Sequence, residues 1–117
     1  MRLRAVAVTA LLSLVTGCAR SAPPPDTSGD RALAATVHAY VVEFLRRNPT
    51  TNTYLGGAGL DPALHDVDGA LRDHSSAALA AEDQWLTATQ ASLTAMSPAT
   101  LSHGSRIDRD VALAQIA

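Results

Sequence analysis

Between Asp30 and Leu45 the large apolar residues Leu33, Val37, Tyr40, Val41, Phe44 and Leu45 recur at steps of three and four. That spacing lays them along one face of an α-helix and excludes the two-residue alternation of a half-buried strand. The period returns in Leu71, Ala78, Leu79, Glu82, Trp85, Leu86, Thr89, Leu93 and Met96, and again in Ile107, Val111 and Ala114 with Leu113 and Ile116. An all-α architecture follows, a small set of amphipathic helices. Its core is thin, because the hundred residues from Cys18 to Ala117 hold only nineteen Leu, Val, Ile and Phe, close to the boundary with disordered compositions.

Capping residues and prolines place the helix ends. Asp30 is expected to cap the first helix, whose last turn carries Arg46 and Arg47 where positive charge suits the helix dipole. Asn48-Pro49 stops it and starts a short second stretch reaching Leu55, with Asn48 as cap and proline at the first position. Gly56, Gly57 and Gly59 open a loop expected to continue to about Asp68. Asp68 is expected to cap the longest helix, from Gly69 or Ala70 to about Met96. Ser97-Pro98 ends it with a short turn to Leu101. A last helix follows Ser102-His103-Gly104-Ser105 and is still running at Ala117, which leaves its final carbonyls in need of partners.

The N-terminus reads as an address. Met1 to Arg4 is basic and Ala5 to Val15 is apolar, a run of about eleven residues against the roughly 20 that a bilayer span requires. Val15-Thr16-Gly17-Cys18 then resembles the bacterial lipobox, in which small residues before the cysteine let a peptidase reach the bond beside a lipidated side chain. Residues 1–17 are thus expected to be a lipoprotein signal peptide and Cys18 the lipid attachment residue. Residues 18–29, with three consecutive prolines, form a spacer that cannot bury enough surface to fold. The expected location is the extracytoplasmic side of a bacterial membrane, with the membrane as partner through the lipid on Cys18.

Charge narrows the remaining classes. The formal net charge of −2 becomes about −4 once Arg2 and Arg4 leave with the signal. A nucleic-acid binder would show a basic face instead, so none is expected as a partner. A single cysteine allows neither a disulfide framework nor a cysteine-based zinc site. His38, His65, His74 and His103 show no i, i+4 pair, and Pro62 stands where a dinucleotide-binding loop through Gly57 and Gly59 needs glycine.

Three local clusters merit weighing. Asp61, His65, Asp66 and Asp68 gather acids in the loop. An EF-hand alignment through Asp66, Asp68 and Gly69 fails, however, with Leu64 at the first ligand position and Ser75 where a bidentate glutamate belongs. Ser102, His103, Ser105 and Asp108 are near one another in sequence but lack a nucleophile elbow. Asp108 and Asp110 read better as acids suited to the start of a helix, and Trp85 as packing on a core stripe. No catalytic, cofactor-binding or metal-ligating residue is therefore assigned.

The ordered pattern Phe44-Leu45, Asn48-Pro49, Thr53-Tyr54-Leu55-Gly56, Leu64-His65-Asp66, a long helix and Ile107-Asp108 leading to Ala112-Leu113 resembles the N-terminal segment of the bacterial domain of unknown function family 885. The resemblance covers residues 30–117 and rests on the order and spacing of short elements. It implies a partial helical domain, the N-terminal part of a larger fold related to zinc-dependent peptidases. Zinc is implied for intact relatives only, because their His-Glu-x-x-His-type motif has no counterpart here. The implied function is that of an N-terminal fragment of an exported, lipid-anchored, hydrolase-like protein, inactive alone, its partner being the missing C-terminal region. The alternative is a complete small helical envelope lipoprotein that binds another envelope protein.

Overall fold

A computed structural model describes residues 25–117. The proposed signal peptide, Cys18 and the first half of the proline-rich spacer lie outside the described residues. Helix α1 covers Asp30–Arg47, α2 Pro49–Leu55, α3 Ser76–Ala95 and α4 His103–Ile116. Among the described residues there is no strand, so the chain is all-α. No helix among them is long and apolar enough to cross a membrane.

Helix α1 is the shared axis of two separate apolar clusters. Its first half packs Leu33 with Leu93 of α3, Leu101 and Ala112 of α4, flanked by Val37, Met96, Leu113 and Ile116. Its second half packs Leu45 with Leu64 and Val67, flanked by Val41 and Val42. Leu33, Val37, Val41 and Leu45 of the stripe read from the sequence are covered, its two ends facing different neighbours, whereas Phe44 is 37% exposed. Between them Tyr40 stacks on Trp85, with ring centroids 5.5 Å apart and planes 14° from parallel, and the Arg47 guanidinium lies 5.1 Å from the Trp85 ring centre. These contacts tie the middle and the last turn of α1 to α3 and make Trp85 a packing residue, as expected.

The ends of α1 differ in detail from expectation. Gly29 occupies the cap position, and Asp30 is the first helical residue. Its carboxylate is used elsewhere: Oδ1 accepts the Ser102 backbone N–H at 2.9 Å, while Gly29 N–H donates to Thr100 O at 2.9 Å. The last residues of the spacer are thereby fixed beside the start of α4. At the other end Asn48 closes α1, its backbone N–H and Nδ2 both donating to Phe44 O. Pro49 opens α2 as read from the sequence, but Asn48 gives that helix no side-chain cap; its Oδ1 accepts from Arg72 instead.

The expected start of the longest helix is wrong by about two turns. Asp68 does not cap it: Asp68 Oδ1 accepts from Asn52 Nδ2 and Thr53 Oγ1, both at 2.9 Å, and is spent on α2. Gly69 then takes a φ of +82°, which ends helical continuity. Leu71 is 88% exposed and belongs to no stripe. The helix begins at Ser76, with Ser75 Oγ accepting from Ala78 N–H at 3.2 Å and Asp73 Oδ1 holding the Ser75 N–H at 2.8 Å. Helix α4, conversely, starts earlier than its apolar residues suggest. Ser102 caps it through Ser105 N–H at 3.2 Å, which puts Asp108 and Asp110 in its second turn rather than at the dipole's positive end.

The segment read as a glycine-opened loop is ordered and partly helical. Gly56 ends α2 in the left-handed conformation, a 3-10 turn spans Gly57–Gly59, and a 3-10 helix spans Pro62–Val67. Asp61 Oδ1 caps the latter through Ala63 N–H at 2.8 Å. The spacing that buries Leu64 and Val67 against α1 is three residues, the period of a 3-10 helix. Beneath this segment Asn52 is fully buried, and a Cβ on Gly57 would land on its Oδ1. Any larger residue there requires the Asn52 side chain to move.

Candidate functional site

The acids that gather in sequence between Asp61 and Asp68 do not gather in space around a common point. Asp61 is turned toward α1, where His38 Nε2 lies 2.9 Å from its Oδ2. The Ala63 N–H and then the His38 hydrogen bond hold the Asp61 carboxyl below its ordinary value. Asp68 is engaged with α2, Leu64 is fully buried, and His65 and Asp66 are exposed. Among the described residues no three His, Cys, Asp or Glu side chains form a group suited to a metal ion.

The serines around His103 are likewise structural. Ser102 Oγ lies 3.1 Å from Ser105 Oγ and caps α4, while His103 is exposed. The group that does meet Ser102 is Asp30, a contact across 72 residues of chain that no local pattern announces. Donation from the Ser102 backbone keeps the Asp30 carboxyl below its ordinary value. Glu82, read as part of the inward stripe of α3, is half-buried because Arg72 Nη2 reaches its Oε2 at 2.7 Å.

The aromatic junction offers no sugar platform. A shallow depression beside Trp85 is lined by Thr36, Ala39, Tyr40, Ala88, Thr89 and Ser92. Three of its hydroxyls already donate to backbone carbonyls one helical turn earlier: Thr36 to Ala32, Thr89 to Trp85 and Ser92 to Ala88. Stacked Tyr40 and the Arg47 guanidinium both lie against the indole, so its faces serve packing.

A half-open groove of about 520 Å³ lies between α1 and α4. Leu33, Ala34, Val37 and Val41 form one wall, and Val111 and Ala112 the other. Its polar rim is Asp30, His38, Ser105, Asp108 and Gln115. Val111 is 54% exposed, and Ile107, one turn before it, is 52% exposed. The volume lies within the range of small-molecule clefts. The walls can hold apolar side chains, and the rim can orient a polar partner. Sequence reading found the residues of both walls as helix faces. It missed that α1 and α4 lie side by side, because their adjacency is made by contacts far apart in the chain, Leu33 with Ala112 and Asp30 with Ser102. No protein-family model, no curated protein and no solved structure matches this chain.

Proposed function

We propose that this chain is an exported, lipid-anchored helical module that acts by packing, the N-terminal part of a larger protein of the kind implied by the resemblance to family 885, a metal-dependent peptidase or hydrolase. The observation that carries the reading is the groove between α1 and α4, whose walls are apolar and open. Among the groups weighed for chemistry, Asp61, Asp68 and Ser102 are engaged in caps and turns. Such a module contributes surface to a cleft, while the metal chemistry of intact relatives would come from a motif outside these residues.

The address comes from the lipobox. Cys18 carries the lipid, and the spacer up to Gly29 separates the membrane from α1. Two or more acyl chains bind a bilayer far more firmly than one, at about 0.8 kcal/mol per buried methylene. Fractionation tests the anchor: Cys18→Ser moves the chain from the membrane to the soluble fraction, and unchanged membrane association overturns it. Incubating the full chain with zinc and a mixed peptide library tests the rest. Cleavage stays at background, and zinc-dependent turnover that tracks the protein through purification overturns the packing role.

A further inference from the structure

Taken as a packing surface, a reading that rests on the proposal above, the groove also specifies the chemistry of what fills it. Its α1 wall runs from Asp30 to Val41, which at 1.5 Å per residue is about 16 Å, or three helical turns. Two helices side by side present ridges and a furrow that accept a third helix, not a strand, for which an open sheet edge would be needed. The described residues contain no such edge.

Charge then selects among helices. The charged groups lining the groove are Asp30 and Asp108, with His38 placed against Asp61, and no arginine lines it. On the helical wheel of α4, Arg106 lies about 160° from Asp108, on the far side of the helix. Arg109 is turned away to α3, where its Nε donates to Leu93 O at 2.9 Å. A second copy of this chain is a poor occupant, since it would set acidic rim against acidic rim in a protein already net negative. We infer that the α1–α4 groove receives a partner's amphipathic helix of about three turns, apolar on the face that enters the furrow and bearing Arg or Lys on the flanks that meet Asp30 and Asp108.

The test uses the full chain in phosphatidylcholine vesicles, with protein-free vesicles as blank and two labelled peptides of about fourteen residues as probes. Both place leucine at i, i+3, i+4 and i+7; one carries arginine on its flanks and the other glutamate. The arginine peptide binds roughly three- to tenfold more tightly, the worth of two exposed ion pairs, and added salt narrows the gap. Asp108→Asn reduces that preference, whereas Asp83→Asn on the exposed face of α3 leaves it unchanged. Val111→Gln, at a half-exposed position that does not disturb the core, weakens both peptides. Equal binding of the two peptides with Val111 still required overturns the basic partner while leaving a packing groove. Binding of neither peptide, or a dimer of the chain that excludes both, overturns the inference outright. Failure of Cys18→Ser to leave the membrane bears on the anchor alone.

Discussion

The two clusters that share α1 are built on different physics. Around Leu33 and Leu93, three helices meet through side chains at helical spacing, and polar groups act at the margins, as where the Arg109 guanidinium covers the Leu93 and Thr94 carbonyls at the end of α3. Around Leu45 and Leu64, one helix meets short 3-10 segments joined by turns. Order there depends on a buried amide: Asn52, wholly out of solvent, holds Asp68 on one side and lies against Gly57 on the other. The first cluster tolerates change in proportion to lost volume. The second should fail abruptly, because a buried polar group without its partner costs more than its bond contributes.

Leu93→Ala gives the largest expected loss, about 2–5 kcal/mol, since Leu93 is fully buried where α1, α3 and α4 converge. Urea unfolding followed by far-ultraviolet circular dichroism measures it. Leu64→Ala, equally buried, sharpens the comparison through hydrogen exchange: amides of residues 56–68 lose protection while those of α3 and α4 keep theirs. Protection lost equally in both regions would show a single cooperative core.

Gly57→Ala is next, at about 1–3 kcal/mol for the forced displacement of the Asn52 side chain. Asn52→Ala removes the obstacle along with its hydrogen bond, so the double variant is less damaged than the sum of the singles. Additive losses would detach the two residues from each other. Ser102→Ala costs about 1 kcal/mol by removing the α4 cap, with its effect confined to the helix-built cluster.

Acid gives the smallest effect. Asp30 and Asp61 have carboxyls held below their ordinary values, so the stability they contribute is complete above the unfolded value near 3.9 and is lost as pH falls through the folded one. Asp30→Ala flattens the acid limb of a pH–stability curve at the α1–α4 contact, and Asp61→Ala does so at the 3-10 helix. An unchanged acid limb in both would remove these carboxylates from the account.

How far the chain could be read in advance follows the same division. The stripe of α1, its basic last turn, the Asn48-Pro49 break and the three-residue turn after Ser97 are local, and each was legible from spacing and capping chemistry. The start of α3 was not, because Asp68 and Ser75 are both good caps and the choice lay with Asn52 and Thr53, which claim Asp68 from 16 and 15 residues away. The 3-10 helix at Pro62–Val67 had a signal in Asp61-Pro62 and in the spacing of Leu64 and Val67, but a pair of residues cannot define a period. The groove had none: its walls were visible as separate helix faces, and their meeting was not.

By itself the sequence determined that this protein is helical, where most of its helices stop, and which side chains seek cover, since those outcomes depend on contacts within a turn or two of chain. Only the tertiary structure decided which helices lie together, which carboxylates become caps and which become ties, and that α1 serves two cores. Those choices turn on competition between groups far apart in the chain. A single pair such as Asp30 with Ser102 settles them only once the backbone has brought it within 2.9 Å.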